Sequence, residues 1–412
     1  MLAEKYIETL TKELESRRDA LTAMSRTIWE NPEIGHQEYT ASKLLTEMLE
    51  DNGFTVEKGV CEMETAFSAV KKSGKPGPVI AFVAEYDALP QIGHACGHNL
   101  FCCSAVGAGI VLSQLQEELG GEVRVLGTPA EEGTTTLESI ETLVLPKLKE
   151  LGPNYGAKVV FVEKGYFDDV DAVFTAHGEG ETVIERSLVA ATMIKIKFKG
   201  VAIHAGGDQV HGKNALTAGM LCINNMNAIR QQNRPCDVVN SIVTDGGLAA
   251  NTIPDNCELQ FSVRSDTSEH LKRVLTNLEH SVQAAALVTG CEYEMEAVKN
   301  PMRDTKSNHQ LGMVLAEYLD SIGAPYVQAD SRNFAWDVGD ITYVCPTLGS
   351  YFKMGPEEII CHTPGFREAA GSQLGFDGMM LAAKGMSVVA CEYLVNPELR
   401  EQAWKEFEAT RK

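Results

Sequence analysis

Val79-Ile80-Ala81-Phe82-Val83-Ala84 is apolar at every position. A strand with one wet face alternates, so this unbroken run predicts a strand covered on both faces within a parallel sheet. It leads into Glu85-Tyr86-Asp87 and then Gly93-His94-Ala95-Cys96-Gly97-His98-Asn99, which sets a thiol between two imidazoles. Downstream, the pattern predicts a helix from about Asn99 to Gly120-Gly121 and a strand around Val123-Arg124-Val125-Leu126. Thr128-Pro129-Ala130 and the acidic pair Glu131-Glu132 follow, then a helix over about 137–151 and a strand over 170–176 that ends at His177. This is α/β alternation, in which working groups sit at the carboxyl ends of strands. Asp87, Cys96, His98, Glu131, Glu132 and His177 all fall at such ends.

Upstream, Leu2, Tyr6, Leu10, Leu14, Leu21, Met24 and Ile28 recur mostly at steps of three or four, which predicts one long helix ended by Asn31-Pro32. A second helix fits 40–51, with Gly53 just past its end. Near residue 188 the pattern changes. Met193-Ile194-Lys195-Ile196-Lys197-Phe198-Lys199 alternates apolar and charged residues, as a strand with one wet face does. A helix over about 214–232, strands near 238–243 and 257–263, a helix over about 267–288 and a strand at 291–297 complete a βαββαβ order. That order reads as a small ferredoxin-like α+β domain with an antiparallel sheet. The expected fold is thus an α/β catalytic domain with a mostly parallel sheet (1–187 and 304–412), interrupted by an inserted α+β domain (188–303). Helices near 371–393 close the chain.

The bulk numbers bound the function. With 412 residues, the chain exceeds the size at which one core stops growing. A net charge of −21 argues against nucleic acid and anionic membrane surfaces as partners. No apolar stretch reaches the roughly 20 residues of a membrane helix, and the polar start Met1-Leu2-Ala3-Glu4-Lys5 is unlike a signal peptide. Eleven cysteines without a CxxC pair read as reduced thiols, which predicts a cytoplasmic setting. Cys222, Cys257 and Cys391 sit in apolar patterns that suit small core residues.

Imidazole, thiolate and carboxylate at successive strand ends suggest a catalytic metal site, with Cys361-His362-Thr363-Pro364 offering further donors late in the chain. A metal there would activate water, and a neighbouring carboxylate would take its proton. Singly, each piece has an ordinary reading. His362 reads as a surface loop residue, Glu131-Glu132 as a solvated face and His177 as a buried hydrogen-bonded imidazole. The His-Ala-Cys-Gly-His turn reads as a structural metal clip or a redox-sensitive turn. Their joint placement favours catalysis.

Ala84-Glu85-Tyr86-Asp87-Ala88-Leu89-Pro90, His94-Ala95-Cys96-Gly97-His98-Asn99, Pro129-Ala130-Glu131-Glu132 and His362-Thr363-Pro364 together resemble the M20 metallopeptidase family. Within it they are similar to the amidohydrolases that cleave N-acyl and N-aminoacyl amino acids, including aminobenzoyl-glutamate hydrolase-like proteins. The resemblance runs from about Trp29 to Ala370. It implies that Cys96, His98, Glu132, His177 and His362 bind one or two divalent ions per subunit, with Cys96 bridging. It implies Glu131 as general base and Asp87 as the group that orients a ligand. Zinc, manganese and cobalt all tolerate such a set. The inserted domain becomes a lid that forms a homodimer, and His204 in Gly200-Val201-Ala202-Ile203-His204-Ala205 reaches the partner's site to stabilise the oxyanion. Asn251, within Gly246–Pro254, and Arg264 would hold the carboxylate of a small-molecule substrate; Arg264 reads equally as a strand-end surface charge, and His211 as a loop histidine. The chain departs from the pattern at Glu85 and Asn99, where aspartates are common, and at Gln209 in place of proline. The longer Glu85 is expected to shift the metal shell, and the uncharged Asn99 to weaken a second ion. The implied activity is hydrolysis of an amide by metal-activated water. The rivals are deamination of an aromatic amine at the same site, a non-catalytic metal-binding homologue, and a thiol redox protein built on Cys96, Cys102 and Cys103.

Overall fold

The run at 79–84 lies in the interior of a sheet, as its lack of alternation requires. In chain order the strands are β1 (Thr55–Lys58), β2 (Phe67–Lys72), β3 (Val79–Ala84), β4 (Glu122–Gly127), β5 (Ala172–Glu179) and β6 (Val183–Leu188), followed by β7 (Ala190–Lys199), β8 (Val238–Asp245), β9 (Asn256–Ser265), β10 (Glu292–Met302), β11 (Val327–Arg332) and β12 (Thr347–Lys353). The structure, a computed structural model, describes residues 1–133, 156–204 and 206–410, without the side chains of 299 and 300. The helix expected over 137–151 lies outside the described residues, as does Ala205 of the lid motif.

The larger sheet has the order β1-β2-β4-β3-β5-β12-β6-β11. Its centre, β4-β3-β5-β12, is parallel throughout. β1 and β2 add antiparallel at one side, and β12 meets β6 antiparallel at the other. On β3, Ile80, Phe82 and Ala84 pack into one buried cluster with the helix His98–Gln114, while Ala81 and Val83 pack into another with Leu126, Phe161 and Phe167. The period of two thus sends alternate side chains to opposite faces, and both faces are covered. Helix His98–Gln114 lies close on the sheet. At Gly109 a Cβ would fall 2.5 Å from Val125 Cγ2, so only glycine permits that approach.

Two expectations need correcting here. The N-terminal helix is two helices, Glu4–Ser16 and Arg18–Glu30, meeting at Arg17 (φ −99°, ψ −1°). The step of seven from Leu14 to Leu21 spans the break with both residues buried, so the apolar pattern passes through it. In addition, helix Gln373–Val395 is long and apolar enough by length and composition to cross a membrane, but 83% of its apolar window is buried inside the fold. It packs on helices His98–Gln114 and Glu4–Ser16, which accounts for its hydrophobicity. A last helix, Pro397–Thr410, was not evident in the sequence pattern.

The smaller sheet, β10-β7-β9-β8, is antiparallel throughout. Helices Ala215–Ala228 and Ser268–Thr289 cover one face around a separate core that includes Ile194, Ile196, Phe198, Leu259, Phe261 and Leu278. On the other face Lys195, Lys197 and Lys199 pair with Glu258, Glu294 and Glu296. The predicted alternation of β7 is the imprint of these two environments. β8 forms an edge of this sheet, and its Ile242 and Val243 are exposed.

Candidate metal centre

Chain direction in the parallel core brings the ends of β3, β4, β5 and β12 to one side of the sheet, and the candidate donors gather there. The turn after β3 is shaped by Gly93 and Gly97, both left-handed (φ 85° and 80°), and it delivers Cys96 and His98 buried at the start of the following helix. After β4, Ala130 holds φ 58° immediately before Glu131 and Glu132. Near the chain's end His362 holds φ 63°. A non-glycine residue in that region costs of order 1–3 kcal/mol, so two strained positions flank the donor set.

The side chains meet as follows. His98 Nδ1 donates to the Asp87 carbonyl at 3.0 Å and lies 3.1 Å from Asp87 Oδ1. That fixes Nε2 toward Glu131 Oε2 (3.6 Å) and Glu85 Oε2 (3.8 Å). His177 Nδ1 is tied to the Gly178 carbonyl at 3.0 Å, which turns Nε2 to Cys96 Sγ at 3.3 Å. His362 Nε2 stands 3.5 Å from Cys96 Sγ and 3.1 Å from Glu132 Oε1. Asp87 Oδ2 also accepts the Glu132 N–H at 2.9 Å, so one buried carboxylate joins both ligand-bearing turns. Glu85 accepts from Trp336 Nε1 (3.0 and 3.1 Å) and lies 3.2 Å from the ammonium of Lys158, which donates to Asp337 at 2.6 Å. Lys158 and Glu85 are both buried.

The electrostatics follow from the crowding. Burial, then the charges of Glu132 and Glu85, push the Glu131 carboxyl well above the usual range. Burial works against ionised Glu132, yet the His362 hydrogen bond and the charge of His98 bring it below that range. The Cys361 hydrogen bond and burial drive the Cys96 thiol up. These thiols and carboxylates face three imidazoles whose orienting nitrogens are on the far side from the cluster for His98 and His177. The buried Nε2 of His98 has no hydrogen-bond partner and points at carboxylate oxygens. The donor sets Cys96/His98/His177, Cys96/Cys361/His362 and Glu85/His98/Glu131 each fall within 4.8 Å. This chemistry fits a divalent cation, with soft and hard donors and a buried imidazole nitrogen otherwise unpartnered.

A cavity of about 350 Å³ opens on the cluster. Cys96, Glu131, Glu132, His177, Cys361 and His362 line its floor; Trp336, Tyr351 and Phe334 form an aromatic wall. Arg264 of β9 lines it from the smaller domain and donates to the Asn333 carbonyl at 2.8 Å. His204 and Asn251 do not line this cavity. His204 is exposed, with Nδ1 accepting from the Gly206 N–H, and Asn251 is exposed on the smaller domain. His211 is an exposed loop residue paired with Asp208. Asn99 is also not at the cluster. It is fully buried, and its Nδ2 donates to Ser25 Oγ and the Ala370 carbonyl, both at 3.0 Å, so its missing charge bears on packing. Cys102 and Cys103 lie in the core, while Cys96 touches Cys361, so the Cys96/Cys102/Cys103 grouping that the rival redox reading needs does not form. Lys158, Trp336 and Asp337 were invisible to spacing arguments. A lysine in the apolar stretch Ala157-Lys158-Val159-Val160-Phe161 was the available signal.

Fold and donor set are those of an α/β protein with a metal-capable cluster at its strand ends and a smaller antiparallel sheet beside it. Residues 187–289 match the peptidase dimerisation domain of M20 proteins. The chain is 31% identical to the Xaa-Arg dipeptidase of Mus musculus over 410 residues, covering 96% of this chain and 90% of that protein. It is 28% identical to a p-aminobenzoyl-glutamate hydrolase polypeptide of Escherichia coli strain K12, covering 78% and 66%. A crystal structure from Bacillus subtilis, of a dinuclear metal-binding M20 peptidase, superimposes with a TM-score of 0.69 at 21% identity, covering 93% and 99%. The chain belongs to the M20 peptidase family, whose members act on amide carbon–nitrogen bonds and are typically metal-dependent.

One consequence of this site's burial is open to measurement. His94 is 1% exposed, and burial, aided by the charge of His98, holds its pKa down to about 3, against 6.5 for an ordinary histidine. The unfolded chain therefore binds the extra proton over that interval, and stability present above about pH 6.5 is lost as pH falls toward 3. Unfolding free energies from denaturant titrations between about pH 6.5 and 5 should show the wild type losing roughly 1.1 kcal/mol per pH unit more than His94→Phe. Equal slopes would contradict the assignment.

Proposed function

We propose that the chain hydrolyses the amide bond of N-acyl or N-aminoacyl amino acids, dipeptide-like or aminobenzoyl-glutamate-like, that carry a free carboxylate. The convergence of Cys96, Glu131, Glu132, His177 and His362 in one cavity with Arg264, with His98 grouped behind it on Cys96 and Glu131, carries this reading. The names of the dipeptidase and aminobenzoyl-glutamate hydrolase relatives describe substrates of that kind. A cavity of about 350 Å³ suits a small molecule.

Cys96, His98, Glu132, His177 and His362 would hold one or two divalent ions, zinc, manganese or cobalt. When bound, such an ion polarises the amide carbonyl and acidifies water. The remaining work falls to this chain's side chains. Glu131, adjacent to a ligand, takes the proton of the attacking water and returns it to the leaving amine. Asp87 holds His98 in the tautomer that presents Nε2. Arg264 takes the substrate carboxylate; a guanidinium fork suits it. We assign 1–187 and 304–412 to the catalytic domain and 188–303 to the lid. The exposed edge at β8 and its apolar side chains support a homodimer through the lid, in which His204 of one protomer serves the other's site and stabilises the oxyanion. A reducing, cytoplasmic setting suits the thiols, all eleven of which are unpaired.

Two measurements test this. Glu131→Gln should bind metal as the wild type does while kcat falls at least ~100-fold, the usual worth of a general base; a near-wild-type rate refutes the role. His204→Ala should be similarly impaired. Mixing it with Glu131→Gln and allowing protomers to exchange should restore about a quarter of wild-type activity, because half the dimers then carry one intact composite site. No recovery on exchange, with mixed dimers shown by mass, would place His204 outside the partner's site.

A further inference from the structure

We propose that Cys361 is an additional thiolate ligand of the metal centre, making it a two-sulfur site that favours zinc over manganese. The inference rests on the reading that this site binds a divalent metal, and it concerns a residue outside the ligand set given above.

The placement is specific. Cys361 Sγ lies 3.3 Å from Cys96 Sγ, and Cys96 Sγ lies 3.5 Å from His362 Nε2. These three donors fall within 4.8 Å of one another and face the same cavity. Neighbouring side chains on an extended segment point apart, so Cys361 and His362 can share a centre only if the backbone turns sharply between them. It does: His362 is left-handed at φ 63°, and its N–H is pinned to the Ala95 carbonyl at 3.0 Å, one residue before Cys96. The same turn aims Cys361 inward, where its Sγ also lies 3.6 Å from the Ala95 carbonyl.

The sulfur–sulfur distance separates two readings of the pair. A disulfide needs about 2.05 Å. Two thiolates sharing one tetrahedral ion with metal–sulfur bonds of about 2.3 Å stand about 3.8 Å apart. The observed 3.3 Å lies nearer the second arrangement. The contrast with Cys102 and Cys103 is instructive. Their sulfurs are 3.9 Å apart, but they are buried in the helix His98–Gln114 among apolar side chains and have no place in the donor groups. Among the described residues, Cys96 and Cys361 are the cysteines that line the cavity. Thiolate donors select zinc, whereas manganese prefers carboxylate and water oxygens. A second sulfur therefore biases a site whose other donors are shared between the two metals.

The test uses the full-length protein loaded with cobalt(II), whose near-ultraviolet thiolate-to-metal absorption counts metal–sulfur bonds. In Cys361→Ser, with fold verified by circular dichroism, the absorption per cobalt should fall by about one half with one ion bound, or about one third with two and Cys96 bridging. The preference for zinc over manganese in competition should fall at least ~10-fold. Unchanged absorption and unchanged preference overturn the proposal. Should Cys361→Ser fail to fold, zinc-edge X-ray absorption of the wild type loaded with one zinc decides: two sulfurs per ion support Cys361, and one sulfur overturns it. The outcomes are separable from those for the hydrolase. A two-sulfur site in a protein that cleaves no N-acyl amino acid would refute the proposed reaction and leave the ligand; a one-sulfur site in an active amidohydrolase would do the reverse.

Discussion

Cys96, Glu85, Glu131 and Glu132 bring four acidic groups into one largely buried patch, and the surrounding architecture follows from the need to neutralise them. Removed from water, such groups repel one another strongly unless a cation or a proton intervenes. Lys158 neutralises the back of the patch through Glu85 and Asp337. The front presents three imidazoles and the cavity. His98 and His177 are locked from behind by Asp87 and by the Gly178 carbonyl, so their free nitrogens face the cluster. A preorganised ring of lone pairs has little use except to bind a cation, and its preorganisation lowers the cost of binding one.

The parallel sheet is what makes this arrangement attainable. Its four central strands all point the same way, so loops distant in sequence emerge side by side. Asp87 bonds to both His98 and the Glu132 backbone, joining the turns after β3 and β4. The His362 segment docks on Ala95 by a backbone bond, which ties the late motif to the early one. The smaller domain contributes Arg264, so the cavity is closed by both domains of one chain, while His204 is displayed away from it.

Much of this was readable in the sequence because two signals are strong there. Unbroken apolarity at 79–84 against strict alternation at 193–199 separated the buried parallel sheet from the half-wet antiparallel one. The strand-end rule then gathered Asp87, Cys96, His98, Glu131, Glu132 and His177 without coordinates. What escaped was set by tertiary contact. The break at Arg17 leaves the spacing of buried leucines intact. Asn99, which sequence places beside a ligand, turns its amide to Ser25 and Ala370 because the first turn of helix His98–Gln114 points that side chain into the core. Lys158 reads as one charge in an apolar helix until Glu85 and Asp337 are seen around it. Cys361 acquires meaning only from the left-handed turn at His362.

The central claim is that donors spread over some 270 positions surround a divalent cation beside Glu131. Anomalous diffraction at the zinc edge, from crystals grown with zinc, tests it most directly. The account predicts one or two strong peaks enclosed by Cys96, His98, Glu132, His177 and His362. A fully occupied crystal form with peaks only elsewhere on the surface, and none between these side chains, would contradict it.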